Sequence, residues 1–149
     1  MNSGSEHNRR LIAALLASWS DPDPARFASL FVADGRFEDV PYGIRIIGTE
    51  ALLAHAARVK KHNVDFEMTM LRCDATATTG VAEWQLAHEY VGRFDGIDCT
   101  GRPVRIRGLS IYEFRDGLIA SATDYWNYME LVRTMEVIPR EIRGFRAAG

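Results

Sequence analysis

The sequence has little of what small proteins use for covalent or metal crosslinking. Its only cysteines, Cys73 and Cys99, belong to no Cys-x-x-Cys pair and to no Cys/His cluster with metal-ligand spacing. We interpret both as free thiols in a reducing compartment, which predicts a cytoplasmic protein with neither disulfide nor metal. Because 47% of its 149 residues are hydrophobic, the chain is able to bury a core without such crosslinks.

The chain also lacks an excess of positive charge. Its 18 Lys and Arg residues are balanced by 20 Asp and Glu, which gives a net charge of −2. Nucleic-acid-binding domains generally carry a basic footprint. No apolar run reaches the roughly 18–20 residues of a membrane span. These absences argue against nucleic acid and membrane partners.

A basic pair, Arg9 and Arg10, precedes an apolar run over residues 11–17. This order is compatible with a short signal peptide, but Trp19 stands where a small-residue cleavage site is needed. The alternative is an amphipathic helix, which we predict over residues 5–19. Its three-to-four spacing is set by Leu11, Ile12, Leu15, Leu16 and Trp19.

The following pattern predicts two more helices and then mainly strands. A short helix over 24–32 has Asp23 as N-cap and Pro24 as first helical residue. A turn at 33–35 and a strand over 36–39 lead to a third helix, over 50–61, capped by Thr49. Further strands are predicted over 64–73, 81–92, 103–115 and 118–127, with Gly80 and the loop 92–101 as turns and a last helix over 128–136.

This order predicts an α+β fold in which an antiparallel meander follows the helices. Asp116-Gly117 is a strong signal for a hairpin between the last two strands. We predict a single domain over 1–149, with a core at about 8–136 and a C-terminal tail over 137–149. A curved sheet wrapped around its helices makes a cone, and the mouth of a cone accommodates a small ligand.

Alternation along the strands predicts which side chains face the inside of the cone. Arg105 and Arg107 fall on the opposite, outer face, where they can pair with Glu83 or Glu89. That outer face is either solvated or a subunit interface. The predicted inner positions are Trp84, Leu86, His88 and Tyr90, then Ile106, Gly108, Ser110 and Tyr112, and finally Asp124 and Trp126.

Two carboxylates, Asp39 and Asp124, lie in aromatic-rich, strand-like segments far apart in sequence. If the fold brings them together, apolar surroundings tune their pKa values for general acid/base chemistry. With His88 they are the predicted catalytic residues. Structural alternatives stay open, because Asp39 could cap a bend and Asp124 could be a buried partner of His88 or Arg102. The predicted substrate-binding residues are Trp19, Phe37, Tyr42, Trp84, Leu86, Ser110, Tyr112 and Trp126.

These segments resemble the SnoaL-like branch of the nuclear transport factor 2-like superfamily. That branch groups polyketide cyclases, ketosteroid isomerases and limonene-epoxide hydrolases. The likeness covers about residues 8–136, and it implies a cone-shaped fold with the N-terminal helices packed in a curved antiparallel sheet. Its markers are residues 31–35, 37–41, 48–52, 108–119 and 124–127.

The resemblance transfers catalytic residues only in part. Asp39 matches the base of ketosteroid isomerases, whereas Leu15 and Ser110 stand where their oxyanion donors would be. Asp124 matches the strand-end Asp of limonene-epoxide hydrolases, but Trp84 and Leu86 replace their Arg and first Asp. Polyketide cyclases of the branch use an acidic residue on the last strand and a His, for which Asp124 and His88 are the candidates.

We therefore expect a cofactor-independent acid/base enzyme that cyclises, isomerises or dehydrates an apolar carbonyl-bearing ring compound, such as a polyketide or steroid. The alternative is a non-catalytic domain of the same fold that binds a small ligand or another protein. Carboxylates that share one cavity would favour catalysis, and carboxylates in salt bridges with Arg72 or Arg102 would favour a structural role. By analogy of fold, the outer sheet face predicts a homodimer.

Overall fold

The computed structural model describes residues 3–137. The predicted tail therefore lies outside the described residues, apart from Val137. The helices are α1 (Ser3–Ser18), α2 (Ala25–Ala28), α3 (Thr49–His62) and α4 (Tyr128–Thr134). The strands are β1 (Phe31–Asp39), β2 (Ile44–Ile47), β3 (Asn63–Ala75), β4 (Thr79–Tyr90), β5 (Arg93–Phe94), β6 (Ile97–Asp98), β7 (Pro103–Arg115) and β8 (Leu118–Trp126).

Six strands form one sheet in the order β2-β1-β8-β7-β4-β3. Neighbouring strands are antiparallel except β1 and β8, which run parallel. The parallel pair is not part of the predicted meander. It arises because α3 connects β2, at one edge of the sheet, to β3, at the other edge. The meander then returns across the sheet, and β8 pairs with β1.

The helices lie against the concave side of this sheet, and the fold is the predicted α+β cone. The apolar face of α1 is buried at Leu11, Ile12, Leu15 and Leu16, and it packs mainly against β3 and β4. Such burial is the main driving force of folding. Among the described residues, no helix combines the length and apolar character that crossing a membrane requires.

The predicted bounds of two elements near the N-terminus are wrong. Helix α2 ends at Ala28 because Leu30 and Phe31 already pair with Ile119 of β8. The predicted turn at 33–35 is part of β1, whose register is irregular between Phe31 and Arg36. Gly35 fits this irregularity because an added Cβ would lie 2.8 Å from the Phe31 Cβ.

The later strands follow the sequence pattern more closely. Strand β7 has the predicted bounds, and Asp116 and Gly117 join it to β8 with φ values of 54° and 74°. Two consecutive positive φ angles are typical of a type I′ hairpin turn. Gly80 lies inside β4 rather than in a turn, and the loop 92–101 contains the small β5–β6 hairpin.

The predicted strand faces are confirmed. Ile106, Ser110 and Tyr112 are buried on the concave side, whereas Arg105 and Arg107 are exposed. On the outer face Glu83 forms ion pairs with both Arg107 and Arg72. Both cysteines are free thiols.

Candidate active site

A cavity of about 320 Å³ occupies the concave side of the sheet. Its volume is at the low end for small-molecule sites. Strands β1, β4 and β8, helix α3 and the β5–β6 hairpin contribute to its wall. Six of the predicted substrate-binding residues line it, namely Trp19, Phe37, Tyr42, Trp84, Leu86 and Trp126.

Asp39 and Asp124 are direct neighbours in the parallel pairing of β1 with β8. Both side chains line the cavity. The backbone fixes the pairing locally, because the Val40 N–H donates to the Asp124 carbonyl at 3.1 Å. Paired residues on parallel strands are about 4.8 Å apart at Cα, so the two carboxyl groups belong to one site.

The Asp39 carboxylate accepts two hydrogen bonds on one oxygen, Oδ1. The Trp126 indole N–H donates at 3.1 Å and the Tyr42 backbone N–H at 3.2 Å. The second bond makes Asp39 cap the bend after β1, as the structural alternative predicted, while the residue also faces the cavity. Burial raises the pKa of Asp39 to about 6, although both hydrogen bonds oppose the shift.

The Asp124 carboxylate is held by a short chain of donors. The Trp84 indole N–H donates to Ser110 Oγ at 2.7 Å, and Ser110 Oγ donates to Asp124 Oδ1 at 2.5 Å. Gly108, opposite Trp84, leaves room for this indole, because an added Cβ would overlap it. Burial raises the pKa of Asp124 to about 7, and the charge of Asp39 adds to this rise.

The hydrogen bonds leave the same atom free in both acids. Each Oδ1 is bonded, whereas neither Oδ2 accepts a hydrogen bond from the described residues. The two free oxygens are therefore the atoms available to a ligand. Two adjacent acids with raised pKa values titrate as a pair, and one proton is shared between them over an intermediate pH range.

His88 lies in the cavity wall but is not bonded to either acid. Its imidazole stacks on Phe66 with ring centroids 5.4 Å apart, and burial lowers its pKa. Its Nδ1 is buried without a hydrogen-bond partner among the described residues. Arg102 donates to the Met135 carbonyl at 3.0 Å. The predicted structural pairing of Asp124 with His88 or Arg102 is therefore wrong.

Two predicted substrate-binding residues do not line the cavity. Ser110 lies behind its wall and reaches the site only through Asp124. Tyr112 is fully buried and stacks on Phe114 in the core. Both share the inward face of β7, but Trp84 and Asp124 cover Ser110, and Tyr112 lies farther along the strand. Alternation along a strand predicts that a side chain points inward, but it does not predict whether that side chain lines the cavity or packs in the core.

Helix α3 contributes to the site in a way that its sequence did not predict. Basic residues such as Arg58 and Lys60 are typical of a solvated helix face, but Arg58 lines the cavity and donates to His55 Nδ1 at 3.0 Å. Lys60 donates to the Ser18 carbonyl at 2.8 Å, at the C-terminus of α1. The missed signal was the spacing i, i+3, i+4, i+7, which gives α3 an inward face of Leu52, His55, Ala56 and Val59.

Aromatic rings form the rim of the cavity beside Asp39. Trp126 lies 5.0 Å from Tyr42 and 6.0 Å from Tyr128, measured between ring centroids. Phe94, from the β5–β6 hairpin, extends this cluster at 6.2 Å from Tyr128. The rim therefore offers flat apolar surface beside the paired acids.

A model of the SnoaL-like polyketide cyclase family matches residues 9–135. The chain belongs to this family. The match includes both acids, the donors that hold them and all of α3. The cone and its cavity are therefore features of a SnoaL-like domain.

Several solved structures share the fold of this chain. A protein of ketosteroid isomerase-like fold from Catenulispora acidiphila, in complex with trimethylamine, is 19% identical with a TM-score of 0.76, covering 86% of this chain and 93% of that one. TsrD from Streptomyces laurentii is 21% identical with a TM-score of 0.77, covering 93% and 99%. An M. tuberculosis epoxide hydrolase resembling limonene-epoxide hydrolases is 19% identical with a TM-score of 0.72, covering 89% and 91%. A search of the curated proteins finds no match.

Proposed function

We propose that the protein is a cofactor-independent acid/base enzyme acting on a small, largely apolar ring compound that carries a carbonyl group. The observation that supports this most directly is the register pairing of Asp39 with Asp124 in one aromatic cavity. Neither acid forms a salt bridge with a described residue. Two half-buried acids without cationic partners are costly to the fold, which is typical of a functional site.

The different environments of the two acids suggest different roles. Burial raises the pKa of Asp39 to about 6, but its carboxylate accepts two N–H donors, which favour the ionised form. Asp124 accepts only the Ser110 hydroxyl, and burial together with the Asp39 charge raises its pKa to about 7, which favours the protonated form. In the state with one proton, Asp39 is therefore the base. Asp124 is then the acid, and its free Oδ2 carries the proton.

These roles define a proton transfer next to a carbonyl group. Asp39 Oδ2 takes a proton from the carbon beside the carbonyl, and the electron pair of the broken C–H bond moves to the carbonyl oxygen. Asp124 donates a hydrogen bond to the resulting enolate oxygen. A well-placed donor to such an oxyanion contributes about 3–4 kcal/mol to catalysis.

The same enolate leads to each reaction that we consider. Return of the proton to a different carbon gives an isomer, and attack of the enolate carbon on a second carbonyl closes a ring. Loss of a neighbouring hydroxyl group, protonated by the acid, gives dehydration. Family membership favours ring closure of a polyketide-like substrate, since the matching family is that of the SnoaL-like polyketide cyclases.

Proton abstraction is testable before the natural substrate is identified. The protein would be incubated in D₂O with 2-tetralone, a bicyclic ketone with acidic protons beside its carbonyl, and deuterium uptake followed by NMR. We expect exchange above the buffer rate, reduced about 10²- to 10⁴-fold by Asp39→Asn. Asp116→Asn, in the exposed β7–β8 turn, is the matched control and should exchange like the wild type.

The alternative is a non-catalytic domain that binds a small apolar ligand or another protein. The catalytic sets of related enzymes are incomplete here, since Leu15 and Ser110 are both buried away from the cavity. Tryptophan quenching by cyclic enones and phenols would decide between the two functions. Binding that does not vary with pH and is unchanged in Asp39→Asn and Asp124→Asn, with no deuterium exchange, would establish the alternative.

A further inference from the structure

The wall of the cavity that α3 forms contributes a further polar group, His55. His55 is 6% exposed and lines the cavity. Its ring packs 5.3 Å from Phe37 and 6.1 Å from Trp19, measured between centroids. Its Nδ1 is bonded to Arg58 Nη2 at 3.0 Å.

The chemistry of this bond determines where the imidazole proton lies. A guanidinium group has donors only, so His55 Nδ1 must be the acceptor and carries no proton. The neutral ring then has its proton on Nε2. Burial, assisted by the Arg58 charge, lowers the pKa of His55 to about 4, so the ring remains a neutral donor around pH 7.

The Nε2–H group makes no hydrogen bond to the described residues. It is also not one of their fully enclosed unpaired atoms, so it is accessible from the cavity that His55 lines. A ligand oxygen in the cavity would satisfy it.

We propose that His55 donates a hydrogen bond through Nε2–H to an oxygen of the substrate, and that Arg58 is the positioning residue that fixes this tautomer. The proposal rests on the proposed function and specifies its substrate further. The ring compound carries an oxygen acceptor, a carbonyl or an enolate-like oxygen, on the side that faces α3.

The position of His55 fits such a contact. Phe37 and Asp39 are two residues apart on the same face of β1, which is about 6.6 Å along the strand. His55 packs on Phe37 and, like Asp39, lines the cavity. A substrate that spans the cavity from the paired acids to α3 would place an oxygen at His55.

The first test is the state of the imidazole itself. NMR of ¹⁵N-histidine-labelled protein, with His55→Leu to assign the signal, should show a neutral ring protonated on Nε2 from pH 6 to 8. Adding 4-nitrophenol, whose phenolate mimics an enolate, should shift this nitrogen but not those of His7, which lies outside the cavity. An Nδ1-protonated or cationic ring, or a ring unaffected by bound 4-nitrophenol, would overturn the proposal.

The second test separates the donor from the packing of the side chain. His55→Leu should weaken 4-nitrophenol binding about 10-fold or more, the loss of one hydrogen bond to a charged oxygen. His55→Gln, whose amide N–H reaches the position of Nε2, should recover most of it. Arg58→Met should raise the pKa of His55, mix the two tautomers and weaken binding, whereas a purely structural Arg58 would leave the tautomer unchanged.

The proposed function and the role of His55 fail in different ways. If Asp39→Asn and Asp124→Asn alter 4-nitrophenol binding but His55→Leu binds it like the wild type, the donor role of His55 is wrong. If His55→Leu and Arg58→Met behave as expected but neither Asp variant changes exchange or binding, the acid/base function fails and the His55 contact stands.

Discussion

Asp39 and Asp124 face one another across the parallel strands β1 and β8, and in each the Oδ2 accepts no hydrogen bond from residues 3–137. Each residue also takes part in hydrogen bonds that order its own segment. Asp39 caps the bend at Tyr42, and Asp124 ends the hydrogen-bond chain from Trp84. The fold thus holds two acids together without neutralising either with a cation, and the pair gives the site a pH-dependent chemistry.

The first prediction is a bell-shaped pH profile for deuterium exchange into 2-tetralone. Activity requires Asp39 ionised and Asp124 protonated, so it should rise with a pKa of about 6 and fall with a pKa of about 7. Because the acids are coupled, the two limbs report the pair. Asp124→Asn keeps a neutral donor that cannot ionise, so the alkaline limb should disappear. A profile that is flat from pH 5 to 8 would contradict the assignment.

The second prediction concerns stability. The pKa of Asp124 is raised from 3.8 to about 7 on folding. Between about pH 4 and 7 the unfolded chain therefore releases this proton while the folded protein keeps it, and the free energy of unfolding falls as the pH rises. An asparagine side chain cannot ionise, so Asp124→Asn avoids this fall in the free energy of unfolding. The variant should be more stable than the wild type at pH 8, by on the order of 2 kcal/mol. At pH 4 it should have no such advantage.

Urea denaturation at the two pH values measures this difference. Asp116→Asn changes a largely exposed side chain whose only ion pair among the described residues, with Arg115, is 3.9 Å long, so it should change stability little at either pH. If Asp124→Asn were less stable than the wild type at pH 8, the ionised carboxylate would be favoured by the fold, and its pKa could not be raised.

The strands of the sheet were largely predictable from the sequence, and β1 shows why one was not. Strand β7 has strict alternation and ends at Asp116-Gly117, two strong local signals. In β1 the residues 33–35 are typical of a turn, yet pairing of the flanking Phe31 and Arg36 with β8 continues the strand through them, with an irregular register in between. Tertiary pairing overrides local propensity in such a segment.

The aromatic-rich segments around Asp39 and Asp124 indicated both acids as candidates. They did not predict that the two residues pair directly. It depends on the parallel register of β1 with β8, which no local pattern encodes. His55 was not predicted, because the basic residues Arg58, Lys60 and Lys61 make α3 resemble a solvated helix. Two of these charged groups bond inward, and long side chains commonly bury their stems in this way.

The third prediction tests the donor chain behind Asp124. Ser110→Ala removes the hydrogen bond that favours the ionised carboxylate, so the pKa of Asp124 should rise further and the alkaline limb of exchange should move to higher pH. It also leaves the buried Trp84 indole N–H without its acceptor, at a cost of about 1–3 kcal/mol of stability.

A second buried serine on the sheet provides the control for this variant. Ser121, on β8, donates to Glu113 at 2.9 Å and does not line the cavity. Ser121→Ala should reduce stability without moving either limb of the pH profile. Equal shifts in both serine variants would mean that the profile reports general loosening of the sheet rather than the charge state of Asp124.

The fourth prediction follows from the outer face of the sheet, where we propose that a second copy of the chain binds. Val81 pairs with Ile111, and Leu109 with Tyr125, so these side chains form one apolar patch on β4, β7 and β8. All four are between 37% and 47% exposed. Contiguous exposed apolar surface is characteristic of interfaces, and an isologous dimer would bury the patch against its own copy.

Sedimentation equilibrium should therefore give twice the mass of the chain. Ile111→Lys combined with Leu109→Glu should give the mass of one chain, because charges desolvated at the centre of an interface are costly. Ile47→Lys changes an equally apolar and more exposed side chain, 61% exposed on the edge strand β2, and should leave the dimer intact. A wild-type mass of one chain would exclude the dimer, and dissociation by Ile47→Lys alone would place the interface at the other edge of the sheet.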